Sequence, residues 1–396
     1  IIVLSVGGYA SPKKSFEIKR GVNLSHWLSQ RGENTPSIQD GMSATDFSRI
    51  ARAGFDHVRL PIDEEVLWQE NGQKNKEAFS YLHKGIEWAL KNDLRVIVDL
   101  HIVRSHYFNA GNEGKKNSLW EKPEAQTHFL ALWQDLVQEL KGYSTSDVAY
   151  EIMNEPTAPN HEDWNKLVEK AYQIIRKVEK ERVIVIGSNM WQGVDTFQYL
   201  KVPQGDEFIL LSCHFYEPFL LSHYQAGWTE FGKYQGNVHY PGYLVSKDEF
   251  DSLSADDKKL VARWRTTPWN RETLSAFLSK AKRVADEKGL NLYCGEFGIY
   301  EKAPIESALK WYADVISVFD SLNIAWAKWD YKGGFGIYTS QNQQKKDLLK
   351  VLMSGSGKKV VVGETPVYLD TRKPLELRVK DALNRMTVEE KTRLSY

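Results

Sequence analysis

Residues 148–156 read VAYEIMNEP. The first six are apolar apart from Glu151 and rich in strand formers, and they run directly into Asn154, Glu155 and Pro156. A strand covered on both faces, as in a parallel sheet, is written as such a near-continuous apolar run rather than as an alternation. The polar pair then falls where the strand ends. In a (β/α)8 barrel that end is the face that carries chemistry; in another setting Asn-Glu-Pro would only close the strand, with Pro156 stopping the ladder.

Outward from this stretch, strand-like segments recur at residues 16–24 (FEIKRGVNL), 55–60 (FDHVRL), 94–100 (LRVIVDL), 182–186 (RVIVI), 208–214 (FILLSCH), 290–295 (LNLYCG) and 324–329 (IAWAKW). Helical patterns separate them at 45–53, 78–91, 128–141, 164–180, 271–288 and 305–322, and a last one at 341–353 closes the series. Strands alternating with helices about eight times predict βαβ units and a parallel sheet. Eight repeats in one domain, residues 16–353, favour the α/β class closed as a TIM barrel over an open doubly wound sheet. No Gly-x-Gly-x-x-Gly follows a strand, which speaks against dinucleotide binding. Roughly 75 residues separate His214 from Leu290, far more than a usual βα loop. An insertion subdomain after strand six, at about 217–270, is expected over the active face.

Composition narrows the partners. The 396 residues carry 52 Lys+Arg and 52 Asp+Glu, a formal charge of zero. Such a balance offers no electrostatic hold on nucleic acid or an anionic membrane, and no apolar run reaches the roughly 20 residues of a membrane span. Aromatic residues make up 12% of the chain, and their faces suit the apolar faces of sugar rings as well as ordinary packing. Cys213 and Cys294 are too few for a disulfide framework. Residues 1–15 open with IIVLSVGGYA, which reads equally as a short strand or as the remnant of a secretory signal. The second reading implies a secreted or periplasmic protein.

The chemistry is expected at the strand ends: Arg59, His101, Asn154 with Glu155, His214 with Tyr216, Glu296, and Trp329. Two carboxylates without a serine or cysteine nucleophile suggest glycoside hydrolysis. One carboxylic acid must protonate the departing oxygen while the other attacks the anomeric carbon, so their pKa values must be held apart. Glu296 is expected to be ionised if Arg59 and the Tyr216 hydroxyl both aim hydrogen bonds at it, with Glu155 kept protonated by the neighbouring negative charge. A metal held by His101, His214, Glu155 and Glu296 is the alternative use of the same residues.

The set resembles the family 5 glycoside hydrolases: Arg59 in VRLP, His101 in VDLH, Asn154 and Glu155 in MNEP, His214 and Tyr216 in HFY, Glu296 in GEFG and Trp329 in AKWDY. The resemblance implies Glu155 as acid/base and Glu296 as nucleophile of a retaining double displacement. It further implies Asn154 on the sugar 2-hydroxyl, Arg59 and Tyr216 on Glu296, His101 and His214 lining the subsite, Trp329 as its stacking floor, and neither metal nor organic cofactor. The segment HFYEPFLLSHYQAGWTEF is similar to family members that cleave β-1,4- or mixed-linkage β-glucan, whereas GVNLSHWL is similar to β-1,3-glucan-cleaving relatives. An endo-β-1,4-glucanase is therefore expected, with β-mannan, glucomannan or β-1,3-glucan as alternative substrates and an inactive glucan-binding barrel as the non-enzymatic one. Trp27, Trp120 and Trp191 follow strands one, three and five, where each serves equally as a flanking subsite or as packing under a loop. Residues 354–365, beginning SGSGKK, read as a linker. Residues 366–396 resemble the opening of a family 3 glycoside hydrolase, many of which are β-glucosidases, so a fusion to such a module is expected.

Overall fold

The computed structural model describes residues 15–33, 35–108, 117–339, 343–363, 368, 373–386 and 391. The possible signal remnant lies almost wholly outside them, as does about half of the segment read as a family 3 opening.

Eight parallel strands close into a barrel in sequence order: β2 (Arg20–Asn23), β3 (His57–Asp63), β4 (Arg95–Ile102), β5 (Val148–Glu151), β6 (Ile184–Gly187), β7 (Ile209–Phe215), β8 (Asn291–Phe297) and β9 (Ala325–Lys328). β9 pairs back onto β2 through Gly21 and Ala327, completing the ring of the expected TIM barrel. Long helices between the strands, among them Lys76–Leu90, Pro123–Leu140, His161–Val178, Arg271–Glu287 and Ile305–Leu322, cover its outside. Helix Pro123–Leu140 begins five residues earlier than expected because Pro123 occupies the first turn, where a missing N–H costs nothing.

The expected first strand, 16–24, is two strands. β1 (Phe16–Ile18) leaves the barrel and pairs antiparallel with β10 (Val360–Val362). The break falls at Lys19, where the Asp56 carboxylate accepts hydrogen bonds from the Lys19 and Arg20 amides at 3.1 and 3.2 Å. Phe16, Ile18, Val360 and Val362 pack against Ile97, Ala149, Val185, Leu210, Tyr293 and Ala327, the inward-facing lower layer of the barrel. Part of the segment read as a linker is thus the bottom closure of the barrel.

After β7 the insertion carries three short helices, Phe219–Ser222, Lys247–Ser252 and Ala255–Val261. Phe231, Tyr234, Trp264 and Trp269 are buried in it, and Tyr240 donates to Asp314 of helix Ile305–Leu322 at 2.7 Å. Trp228 is 57% exposed and turns to the cleft instead. Beyond β10, helix Leu375–Arg385 exposes Leu375, Leu377 and Val379.

Candidate active site

Alternation along the strands decides what enters the barrel. Above the apolar lower layer, the inward positions deliver Asn23, Arg59, Asp99 and Glu151, all buried. Register shifts between Cys213 and His214 on β7 and between Cys294 and Phe297 on β8 re-aim the strand ends. Irregularities of this kind next to a site turn a side chain without moving the strand. The result is that His214 and Glu296, paired across the two strands, both reach the cleft.

Arg59 organises the layer beneath. Its Nε and Nη2 donate to the two oxygens of Glu151 at 2.6 and 3.1 Å, Nη1 to Asn23 Oδ1 at 2.9 Å and Glu296 Oε1 at 2.7 Å, and Nη2 to Asn154 Oδ1 at 2.8 Å. Asp99 Oδ2 lies 3.0 Å from the same Nη2. One guanidinium therefore faces three buried carboxylates, and its planar fork is the only side chain able to serve them together. Burial would lower its pKa, but the negative charges of Asp99, Glu151 and Glu296 outweigh that and hold it firmly charged.

The two glutamates differ as required. Glu296 accepts from Arg59 on one oxygen and from the Tyr216 hydroxyl at 2.9 Å on the other. Burial leaves its pKa somewhat raised, with Arg59 and the Tyr216 hydrogen bond pulling against that rise. Among the described residues Glu155 meets no guanidinium or tyrosine hydroxyl, only His214 Nδ1; burial and the charge of Glu296 hold it well above the carboxylate range. His214 Nδ1 lies 2.8 Å from Glu155 Oε1 and 3.7 Å from Glu296 Oε2. One oxygen of each glutamate and one His214 nitrogen all lie within 4.8 Å of one another. Burial keeps His214 neutral by driving its pKa far down.

The remaining expected residues assemble around this pair. His101 Nδ1 is held by Asp99 Oδ2 at 2.6 Å, and burial lowers its pKa to about 3, so the ring is neutral. Its ring stacks on Trp329 with centroids 5.7 Å apart and planes 4° from parallel. Trp329 is anchored by Lys328, whose buried amine donates to the Trp329 carbonyl at 2.7 Å. Asn154 Nδ2 and His101 Nε2 have no hydrogen-bond partner among the described residues. Both belong to side chains whose other polar atom is already pinned, so they are oriented, unpaired groups suited to sugar hydroxyls.

The aromatic expectations divide. Trp191 is 50% exposed, lines the cleft and donates from Nε1 to the Phe108 carbonyl at 2.7 Å. Trp27 does not reach a subsite: it is 1% exposed, stacks on Trp88, lies edge-on to Phe47 and donates to the Ile38 carbonyl. The short helix Ile38–Gly41 and the outer helices close over it, so it is core, and the expectation for Trp27 is corrected. Trp120 packs on His106 and Trp164.

Sequence reading passed over Asn23, Asp99, Glu151 and Gln192. For two of these a signal existed: Asp99 lies two residues before His101, and Glu151 is the one charge in an otherwise apolar strand. Period-two alternation places both inward. Gln192 carried none.

The cleft has a volume of about 1410 Å³. Phe108 and Trp191 stand over β4 and β6, and Trp228, Tyr300 and Phe335 over β7 to β9, so rings flank the glutamates on both halves of the mouth.

Residues 19–334 match the cellulase family, glycosyl hydrolase family 5. Endoglucanase C of Acetivibrio thermocellus is 31% identical over 342 residues, 85% of this chain and 97% of the relative. Cellodextrinase A of Ruminococcus flavefaciens is 28% identical over 313 residues, 79% of this chain and 85% of the relative. Among solved structures, Thermotoga maritima Cel5A in complex with cellobiose superposes with a TM-score of 0.68 at 28% identity, covering 85% of this chain and 97% of that one. The same protein in complex with mannotriose gives 0.67 at 27% identity, over 85% and 97%. The chain belongs to glycoside hydrolase family 5, and its barrel is that of a glycosidase.

Proposed function

We propose that this chain is an endo-β-1,4-glucanase that cleaves cellulose-type and mixed-linkage β-glucans with retention of configuration. The observation that carries the mechanism is the closeness of the glutamates, with one oxygen of each within 4.8 Å. Retaining glycosidases hold their carboxyl groups about 5 to 5.5 Å apart, whereas an inverting pair needs roughly 6.5 to 9.5 Å to admit a water between. Glu155, protonated by its surroundings, donates its proton to the glycosidic oxygen as the bond to the leaving sugar breaks. Glu296 Oε attacks the anomeric carbon and loses its charge in the glycosyl-enzyme. With that charge gone Glu155 is the stronger acid, and as a carboxylate it takes a proton from the water that releases the sugar. Asn154 Nδ2 addresses the 2-hydroxyl, a contact that tightens in the transition state. Arg59 and Tyr216 position Glu296, His101 and His214 line the subsite, and Trp329 forms its floor.

The linkage rests on the relatives, an endoglucanase and a cellodextrinase by name. Endo action is supported by a cleft of about 1410 Å³ with aromatic rings on both halves, which suits an internal stretch of polymer. Export from the cell belongs to the same reading, since such polymers are extracellular, and fractionation of the native host tests it. The exposed apolar face of helix Leu375–Arg385 suits the opening of a second, family 3 module; the gene downstream of codon 396 tests that.

The deciding experiment is reducing-sugar release from carboxymethylcellulose, mixed-linkage β-glucan, β-1,3-glucan, glucomannan, mannan and xyloglucan, with Glu296→Gln as control. Activity on the first two alone supports the assignment. Mannan belongs in the panel because the Thermotoga maritima structure was solved with mannotriose; activity confined to mannan or β-1,3-glucan keeps the glutamates and overturns the substrate. Release of the β-anomer, followed by NMR, supports retention, and release of the α-anomer overturns it.

A further inference from the structure

Gln192 follows β6 and is completely buried beneath the acid/base glutamate. Its Oε1 accepts the backbone N–H of Glu155 at 3.1 Å, and its Nε2 donates to Glu151 Oε1 at 3.1 Å. Glu151 in turn holds Arg59, and Arg59 holds Glu296. An unbroken run of hydrogen bonds thus joins the nucleophile to the backbone of the acid/base residue.

The backbone on both sides of this contact is unusual. Glu155 has φ 43°, and Met190, Trp191 and Gln192 have φ 57°, 57° and 54° in succession. Residues with a side chain seldom adopt this left-handed region, and they stay there only where the surroundings hold them. Here the Trp191 amide donates to the Pro156 carbonyl at 3.2 Å, and the Ser188 hydroxyl to the Gly193 carbonyl at 2.9 Å. The left-handed turn sends consecutive side chains in opposite senses: Trp191 into the cleft and Gln192 into the barrel. Gly187 makes room, because a Cβ there would lie 2.2 Å from Gln192 Nε2.

We propose that Gln192 is a positioning residue for the acid/base step, holding Glu155 in its left-handed backbone conformation so that the carboxyl meets the departing glycosidic oxygen. The inference rests on the reading of Glu155 as acid/base. Without Gln192 the Glu155 N–H is a buried donor lacking its acceptor, and the carboxyl relaxes away from the leaving group. A displacement on the order of 1 Å in a catalytic group can cost about a hundredfold in rate.

The test exploits leaving groups. Cleavage of a glucan needs a proton on the departing oxygen; cleavage of 2,4-dinitrophenyl β-cellobioside does not. Gln192→Ala and the near-isosteric Gln192→Met should lower kcat/KM on carboxymethylcellulose about 10- to 100-fold, while kcat/KM on the dinitrophenyl substrate changes by less than about threefold. Gln192→Glu, when its carboxyl is protonated, restores both hydrogen bonds, so its activity on glucan should recover as pH falls. A folded Gln192→Met that loses both substrates equally, or neither, overturns the proposal. Glu155→Ala is measured in parallel. If it also fails to separate the two substrates, the acid/base reading falls and takes the inference with it; if it separates them and the Gln192 variants do not, the inference alone falls.

Discussion

Arg59 Nη1 donates to Glu296 Oε1 across 2.7 Å, and neither side chain is appreciably exposed. The contact keeps the nucleophile close to ionisation in a site whose burial favours the neutral acid. The same guanidinium compensates Asp99 and Glu151, so it links the stability of the barrel to its chemistry.

Arg59→Ala leaves three buried carboxylates without their counter-charge. A loss of about 3–5 kcal/mol in unfolding free energy is expected, the usual cost of removing one partner of a buried ion pair, measured by urea denaturation. Arg59→Lys keeps the charge but cannot reproduce the fork. It should recover part of the stability while glycosylation, followed by single-turnover kinetics, remains impaired.

The pH profile follows from the two glutamates. The active form has Glu155 protonated and Glu296 ionised, so kcat/KM falls on the acid side as Glu296 takes a proton and on the alkaline side as Glu155 loses one. Because the Glu155 pKa is raised, the alkaline limb should lie above the ordinary carboxylate range. The Tyr216 hydrogen bond lowers the Glu296 pKa; Tyr216→Phe removes it, raises that pKa and should move the acid limb to higher pH. An acid limb that stays in place in Tyr216→Phe would show that Glu296 does not set it.

Trp27 and Trp191 should respond in opposite ways. Trp27→Ala opens a cavity among Trp88, Phe47 and Tyr81, with an expected cost of about 3–5 kcal/mol in stability and no change in KM at a temperature where the variant is folded. Trp191→Ala should raise KM for long oligosaccharides about 2- to 10-fold, the worth of one stacking contact, with little change in denaturation midpoint. Parallel thermal melts and Michaelis curves separate the two.

The bottom closure can be weakened without touching the site. Val360→Ala and Val362→Ala each remove two buried methyl groups, for roughly 2 kcal/mol apiece from lost transfer energy and the cavity left behind. Their kcat on β-glucan should equal that of the parent, since β1 and β10 close the end of the barrel opposite the glutamates.

Much of the site was legible because a closed parallel barrel is a repeating device. Once residues 148–156 read as a strand buried on both faces, the polar group ending each similar run had to gather at one rim; His101, Glu155, His214, Glu296 and Trp329 do so, while Arg59 sits inside β3 one layer beneath and reaches Glu296 from there. Trp27 was open to both readings because a tryptophan just past a strand has the same local sequence whether it caps a core or lines a cleft; Trp88, which stacks on it, comes from far along the chain. Residues 354–365 read as linker from composition, yet Val360–Val362 bond to Phe16–Ile18, a pairing over more than three hundred residues that no local pattern encodes.

The amino-acid sequence by itself determined the alternation of strands and helices, the closure of the barrel and the two carboxylates at the ends of β5 and β8, since each follows from local periodicity and from what a strand end must present. Tertiary structure alone decided how protons are distributed among them. Whether a glutamate is acid or nucleophile depends on burial and on charges within a few ångströms, and Arg59, Asp99, Glu151 and Gln192 reach the glutamates only when the barrel closes. The left-handed turn at Met190–Gln192 is the clearest instance: its conformation is unfavourable locally and is held by contacts to Pro156, Glu151 and Glu155 that exist only in the folded chain.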